Sequence, residues 1–347
     1  MPQEPQGHEA ALAEVRKRLL GDEITLEAAD LRPEVADVLP AATRYWHALG
    51  FPLPQNWTEL HFTDADVRAL QRITRLIDDG VLDEELALAM TRATARSADR
   101  LAVWQAQLLA EFLAPASDEG RLDPAAAADL AIASALLAEE LEPMLTYAWR
   151  RHLVAALTRT LSDAAPAEEQ EGSGVNRVVG FADLVNFTAV VRRATERQLA
   201  AIVQRFEELA SDIVTAHGGR VIKTVGDEVL FASVEPLAGT AIALDLVDAM
   251  GEDPMLPQVR VGVAYGPVIS RMGDIFGTTV NRAARLTAIA PTGRVVADEA
   301  LAARLAALSG FNLHPLRRRN LRGIGLVSPC DITRARGARL PTALAGS

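Results

Sequence analysis

A short acidic segment of small residues, Ser162–Gly174, divides the chain into halves whose residue patterns require different folds. Before it, Ala, Leu, Arg and Glu dominate at helical spacing, and runs of β-branched residues are few. After it, short Val- and Ile-rich runs alternate with helical segments, which favours a layered α+β sheet. The segment itself is predicted to be a linker. We therefore expect an all-helical domain over residues 1–161, a linker over 162–174, a sheet domain over 175–336 and a flexible tail over 337–347.

The composition excludes several classes of protein. The 347 residues carry a net charge of −11, which argues against a general nucleic-acid binder. A single cysteine, Cys330, excludes an intramolecular disulfide and a cysteine-based zinc site, and it fits a reducing cytosol. The polar N-terminus does not indicate a signal peptide, and no run approaches the roughly 18 uncharged apolar residues of a membrane span. We expect a cytoplasmic protein.

Capping residues predict the helix boundaries of the first half. Thr63 followed by Asp64 is typical of a helix start, and Gly80 is a plausible end for that helix. Asp83 can cap the next helix, and Asp123-Pro124 can begin another. Pro143 is expected to kink or split that last helix.

The second half alternates strands and helices. An amphipathic helix over 196–217 should end at Gly218-Gly219, and two strands should flank a tight turn at Val225-Gly226-Asp227. A further pair of strands is predicted around Tyr265-Gly266-Pro267, whose composition is typical of a turn.

Two acidic residues follow strand-like runs. Asp183 ends one run, and the segment after it turns into a helix, so its carboxylate can bind a hard cation while backbone N–H groups hold phosphate. Asp227 lies in the turn that follows Lys223. Two carboxylates on adjacent strands can share a pair of magnesium ions. Taken singly, each residue is better explained as an ordinary turn former.

A third motif supplies Asp274, Asn281 and Arg285. On a helix, positions 281 and 285 share a face. The arginine can hold phosphate oxygens bidentately, and Asp274, before the helix, can accept a hydrogen bond from an exocyclic amine. Alone, these would be a structural asparagine and a surface arginine. Because all three motifs occur in order, they favour one shared site.

Together, the motifs resemble the active site of class III nucleotidyl cyclases, over about Val175–Arg334. The resemblance implies a ferredoxin-like, palm-like α/β sandwich that uses two divalent cations, Mg²⁺ or Mn²⁺. The implied roles are metal binding by Asp183 and Asp227, adenine recognition by Lys223 and Asp274, catalysis by Asn281 and Arg285, and a phosphate loop of Leu184, Val185, Asn186, Phe187 and Thr188.

The resemblance also implies a substrate and an assembly. An ammonium group can meet adenine N1, and a carboxylate can accept from the 6-amino group, whereas guanine reverses that pattern. Guanylyl cyclases typically have Glu and a smaller residue in place of Lys223 and Asp274, so we expect ATP to be converted to 3′,5′-cyclic AMP and pyrophosphate. Each family site takes its metal ligands from one catalytic domain and the other residues from a partner, which implies an obligate homodimer. The family commonly has Gly at Asn186, but asparagine tolerates left-handed backbone.

The helical half is similar to the regulatory domain of actinobacterial adenylyl cyclases that respond to pH, on Tyr45–Pro52 and the long helices. The resemblance implies a dimerising domain that controls activity, joined to the cyclase by a connector over Glu139–Leu161. Three histidines are candidate proton sensors, although for any one of them a structural or exposed role is the better explanation: His47, His61 and His152. Trp46, Trp57 and Trp104 can line a pocket for an apolar ligand or pack in an aromatic core.

Other functions remain alternatives. The segment Val225–Val229 resembles a diguanylate cyclase signature, but Lys223 and the Asp274, Asn281 and Arg285 set argue against that class. A catalytically degenerate cyclase-like module would bind nucleotide and signal without turnover. The helical half can also bind a partner without sensing anything.

Overall fold

The computed structural model describes residues 5–24, 39–52, 62–113, 124–163, 175–271 and 273–336. The chain separates into two compact units, Met1–Ala164 and Ala165–Ser347. In the described ranges, no helix has the length and apolar character needed to cross a membrane.

Within its described residues, the first unit consists of helices and one short antiparallel ribbon. Its elements are α1 (Pro5–Leu20), β1 (Glu23–Ile24), α2 (Leu39–Ala48), β2 (Phe62–Thr63), α3 (Asp64–Asp78), α4 (Glu84–Leu113) and α5 (Pro124–Asp163).

The capping residues act as predicted. Thr63 accepts a hydrogen bond from the backbone of Asp66, whose carboxylate accepts from the Thr63 N–H at 2.9 Å, so α3 begins with a capping box. Gly80 has φ 69°, a conformation that suits glycine just beyond the end of that helix. Asp83 accepts from Leu86 N at 2.7 Å at the start of α4.

Helix α5 contains Pro143 in its interior and continues to Asp163, so the predicted split is wrong. Proline removes one helical hydrogen bond, but the Ala- and Leu-rich turns on both sides have strong helix propensity. The proposed cap at Asp123 lies outside the described residues, as do all but the first two of the predicted linker residues.

The second unit is a mixed sheet with helices on both faces. Its elements are β3 (Val175–Leu184), α6 (Phe187–Val191), α7 (Glu196–Ala216), β4 (Arg220–Val225), β5 (Glu228–Ser233), α8 (Pro236–Glu252), β6 (Val259–Arg271), β7 (Asp274–Phe276), α9 (Thr278–Ile289), β8 (Val295–Ala297), α10 (Glu299–Leu305), β9 (Phe311–Pro315), β10 (Arg319–Leu321), β11 (Gly325–Val327) and β12 (Cys330–Arg334).

The strand order of the main sheet is β4-β5-β3-β6-β8-β12-β9, with β7 paired to β6. The β6–β8 pair is parallel, and the other neighbours along this order are antiparallel. Alternation along β3 directs Val178 toward the core under α7 and α8, and Val179 toward the core under α9. The prediction of an α+β sandwich after an all-helical half is confirmed.

The predicted strand pair around Tyr265-Gly266-Pro267 is wrong. These residues continue one strand, β6, which pairs with β3 from Val175↔Val268 to Leu184↔Val259. Gly266 is needed there for close packing rather than for a turn, because a Cβ would lie 2.8 Å from Thr279 Oγ1 of α9. The chain instead reverses after Arg271, which pairs with Asp274.

Candidate active site

Three charged side chains form a row across the sheet. Asp183 of β3 lies directly opposite Glu228 of β5 on one side and Arg260 of β6 on the other. Because opposite residues share a face, all three project on the face that carries α9. Arg260 donates to Asp183 Oδ2 through Nε at 2.7 Å and approaches the same oxygen through Nη2 at 2.5 Å. Both contacts from Arg260 are therefore made to the same carboxylate oxygen of Asp183.

Asp227 is joined to the end of β3 by the backbone. Gly226 has φ 62° in the turn between β4 and β5, and Asp227 O accepts from Leu184 N at 3.0 Å. Burial raises the pKa of Glu228, and the charges of Asp183 and Asp227 raise it further. The carboxylates thus generate a negative potential that a cation would relieve.

We tested whether these residues fit the expected divalent cations. In the described ranges, no group of three His, Cys, Asp or Glu side chains forms a closed set of metal ligands. Mg²⁺ is normally bound by one or two carboxylates together with waters and substrate phosphates, so a closed set is not required. Asp183 and Asp227 fit that type of site.

The predicted phosphate loop has the backbone conformation that its sequence suggested. Asn186 has φ 60° and ψ 24°, so it occupies the left-handed region in place of glycine. The N–H groups of Leu184 and Val185 already donate to Asp227 O and to Gln258 O, the latter at 2.8 Å. The backbone N–H groups of Leu184 and Val185 are therefore already engaged and are not offered to a phosphate.

A β-bulge in β4 determines the face of the sheet on which the Lys223 side chain lies. Val221 lies opposite Phe231, whereas Lys223 lies opposite Leu230, so Ile222 is the extra residue. Phe231 belongs to the core under α7 and α8, and Leu230 to the core under α9. The bulge therefore moves Lys223 to the same face as Asp183.

On that face, Lys223 meets Asp274 at the start of β7. The Nζ of Lys223 lies 2.5 Å from Oδ2 of Asp274, although the two residues are 51 positions apart in sequence. The hydrogen bond from Lys223 holds the pKa of Asp274 below its usual range, and the backbone N–H of Ile275 lowers it further. A donor and an acceptor thus lie side by side on a partly exposed surface.

Asn281 and Arg285 are exposed on α9, one helical turn apart. The opposite side of the helix is fixed by buried Ala283 and Leu286. Thr287 Oγ1 donates to Phe181 O of the central strand at 3.3 Å. The helix is thus anchored on one side and presents polar side chains on the other.

Three charged or titratable residues of the second unit were not predicted from the sequence. Arg260 had no motif of its own, and Glu228 lay in the Val225–Val229 segment without a role assigned to it; only the strand register places the two residues beside Asp183. His217, largely buried, lies with Nε2 2.6 Å from Asp245 Oδ2, and Arg334 also binds Asp245. A histidine directly before Gly218-Gly219 was visible in the sequence but looked like a helix end.

The candidate regulatory residues are only partly described. His47 and His152 are exposed on α2 and α5, while His61 and Trp57 lie outside the described residues. Trp46 packs on Phe51 with ring centroids 5.1 Å apart, and Trp104 is 57% exposed. These positions give no support to an apolar ligand.

The chain is similar to known adenylate and guanylate cyclases. Residues 173–329 match the adenylate and guanylate cyclase catalytic domain family. An adenylate cyclase of Glutamicibacter nicotianae is 35% identical, and the match covers 97% of this chain and 85% of that protein. A pH-sensitive adenylate cyclase of Mycobacterium tuberculosis is 30% identical over 75% of this chain and 72% of its own. The catalytic core of a rhodopsin-guanylyl cyclase with converted specificity, solved with ATPαS, is 21% identical with a TM-score of 0.44, covering 47% of this chain and 98% of that one.

Proposed function

The chain belongs to the adenylate cyclase family, and from that premise we propose that it converts ATP to 3′,5′-cyclic AMP and pyrophosphate. The observation that carries the proposal is the contact of Lys223 with Asp274, a donor beside an acceptor on the face that also bears Asp183. Adenine offers the complementary pattern, an acceptor at N1 and a donor at the 6-amino group. Guanine would leave both side chains badly partnered, at a cost of about 1–3 kcal/mol each.

Asp183 and Asp227 would hold the two divalent cations. Bound there, the ions would activate the ribose 3′-hydroxyl and stabilise the departing pyrophosphate. Arg260 keeps Asp183 oriented through one oxygen, so the carboxylate is already aimed before a cation arrives. Burial and the charges of Asp183 and Asp227 raise the pKa of Glu228, as expected where three carboxylates lie close together.

Asn281 and Arg285 would act on the nucleotide from the exposed side of α9. The amide can hydrogen-bond the ribose, and the guanidinium can bind phosphate oxygens and stabilise charge that develops in the transition state. Since the attacking hydroxyl belongs to the substrate, no enzyme nucleophile is needed, and catalysis consists of positioning and electrostatics.

We propose that the active form is a homodimer with composite sites. In support, α5 exposes Tyr147, Val154 and Leu161 at intervals of seven residues, with Leu157 between the last two. Apolar residues at this spacing form the seam of a coiled coil. The likeness to a pH-sensitive relative across most of the chain supports control of activity by pH, with His152 on α5 the leading candidate sensor.

The decisive assay incubates the purified full-length chain with ATP and Mg²⁺ or Mn²⁺ and measures cyclic AMP. We expect product from the wild type and none from Asp227→Ala, because one metal ligand is lost. Asp212→Ala, an exposed carboxylate on α7, is the matched control and should retain activity. ATP binding without turnover would favour the degenerate module, and a dinucleotide made from GTP would favour a diguanylate cyclase.

A further inference from the structure

Asp298, only 1% exposed, joins three elements around α9. Its Oδ1 accepts from Leu301 N at 2.9 Å, in the first turn of α10, and from Tyr265 N of β6 at 3.2 Å. Its Oδ2 accepts from Arg282 Nη1 of α9 at 2.9 Å. One buried carboxylate therefore connects β6, α9 and α10.

Arg282 is the neighbour of Asn281 and lies three residues before Arg285 on the same helix. The apolar contacts of Ala283 and Leu286 hold α9 against the sheet, but contacts of this kind are non-directional and do not by themselves fix the rotation of a helix about its axis. The bond from Arg282 to Asp298 acts on the flank of the helix, where it resists rotation about the helix axis. Such a rotation would swing the two exposed side chains, Asn281 and Arg285, away from the nucleotide.

We propose that Asp298, acting through Arg282, positions α9 so that Asn281 and Arg285 meet the nucleotide in reactive geometry. The inference rests on the proposed function and names two positioning residues for it. Displacement of reacting groups by about 1 Å can lower a rate by about 100-fold, so a small rotation is enough to matter.

Two further observations favour positioning over stability as the role of this pair. Burial raises the pKa of Asp298, despite the opposing effects of its three hydrogen-bond donors, so the charge is placed where ionisation is unfavourable. Asp298 is the buried member of the pair, whereas the Arg282 side chain is 30% exposed, and an ion pair that buries a charge adds little to stability compared with apolar residues. The Arg282 Nε is also buried and has no hydrogen-bond partner among the described residues, so Asp298 is the anchor of that guanidinium.

The test compares Arg282→Met, Arg282→Lys and Asp298→Asn with Arg294→Met in the full-length chain. Arg294 forms a similar pair with buried Asp331, linking the start of β8 to β12 rather than holding α9. We expect Arg282→Met to lower kcat about 10- to 100-fold with little change in KM, and Arg282→Lys to recover much of the loss. Asp298→Asn, which keeps the backbone hydrogen bonds, should also lower kcat, and Arg294→Met should not.

A second readout separates this inference from the proposed function. Amide hydrogen exchange over residues 278–289 should rise in Arg282→Met and stay unchanged in Arg294→Met, whether or not the chain makes cyclic AMP. A wild type without product would defeat the proposed function alone. Unaltered exchange over α9, or equal kcat losses in Arg282→Met and Arg294→Met, would overturn the positioning role.

Discussion

At the residue scale, the site is made of charges that satisfy one another before any nucleotide arrives. Lys223 binds Asp274, and Arg260 binds Asp183. In the proposed reaction, the incoming base would exchange the hydrogen bond between Lys223 and Asp274 for hydrogen bonds of its own. Adenine would be favoured because its acceptor at N1 and its donor at the 6-amino group match this pair.

Replacing Lys223 with Glu and Asp274 with Ser should shift the preference from ATP toward GTP. The carboxylate can accept from guanine N1–H, and the serine hydroxyl can donate to O6. Because each of the two mispaired groups costs about 1–3 kcal/mol, we expect kcat/KM for ATP to fall by about 30- to 25,000-fold. Measured kcat/KM for both nucleotides checks this, and an unchanged ATP preference would contradict the assigned base contacts.

Lys223→Met should raise the pKa of Asp274, because the hydrogen bond from Lys223 is the largest influence lowering it. The folded-state pKa is depressed, so the pair's contribution to stability is present above the unfolded pKa and is lost as pH falls through the folded pKa. In Lys223→Met, this loss of folding stability at acidic pH should be absent. Titration of the Asp274 carboxyl by carbon NMR tests the direction, and an unmoved pKa would rule out the contact in solution.

The sequence motifs located the six proposed site positions without the structure, because each motif is local. Arg260 could not be found this way, since its partner lies 77 residues earlier and only the β3–β6 register joins them. For the same reason, the strand through Tyr265-Gly266-Pro267 was mistaken for a turn. Local turn propensity was outweighed by ten paired positions along β3, which no single segment reveals.

At the scale of elements, α9 lies against β6 so closely that one position accepts only glycine. A Cβ on Gly262 would lie 2.1 Å from Thr287 N. Gly262→Ala should therefore displace α9 and lower kcat by about 10-fold or more. Gly251→Ala is the control, because nothing lies within 4 Å of a Cβ there. Retention of full activity by Gly262→Ala would show that the position of α9 matters less than we infer.

The exposed apolar residues of α5 lead to a separate prediction about self-association of the chain. Replacing Val154 and Leu161 together with Gln should weaken self-association, because both side chains are exposed and apolar at coiled-coil spacing. Arg159→Gln, on the polar side of the same helix, should not. Sedimentation equilibrium measures the dimer constant, and equal constants for the two proteins would remove α5 from the interface.

At the scale of the whole molecule, the proposed composite sites would make activity a property of two chains. Asp227→Ala and Arg285→Ala should each be inactive alone, yet their mixture should recover about a quarter of wild-type activity, since half of the dimers would carry one complete site of two. Cyclic AMP formation in equimolar mixtures tests this. A mixture as inactive as its components would place the whole site in one chain.

Control by pH also belongs to the whole molecule. If His152 on α5 senses protons, acid should activate the wild type, and His152→Asn should flatten the profile while preserving activity at neutral pH. His47→Asn is the comparison on α2. An unchanged pH–activity profile in both variants would show that neither histidine is the sensor. His217, which lies beside Asp245, would then be the next residue to replace.

The bulge at Ile222 has a consequence for the pairing of β4. If the same residues paired regularly from Val221 onward, Lys223 would lie opposite Val229. Val229 lies in the core under α7 and α8, so the lysine would exchange the face that it shares with Asp183 for an apolar interior. The proposed base recognition therefore depends on an irregularity of the strand, and a substitution that favours regular pairing at Ile222 should be selected against more strongly than the modest burial of this residue suggests.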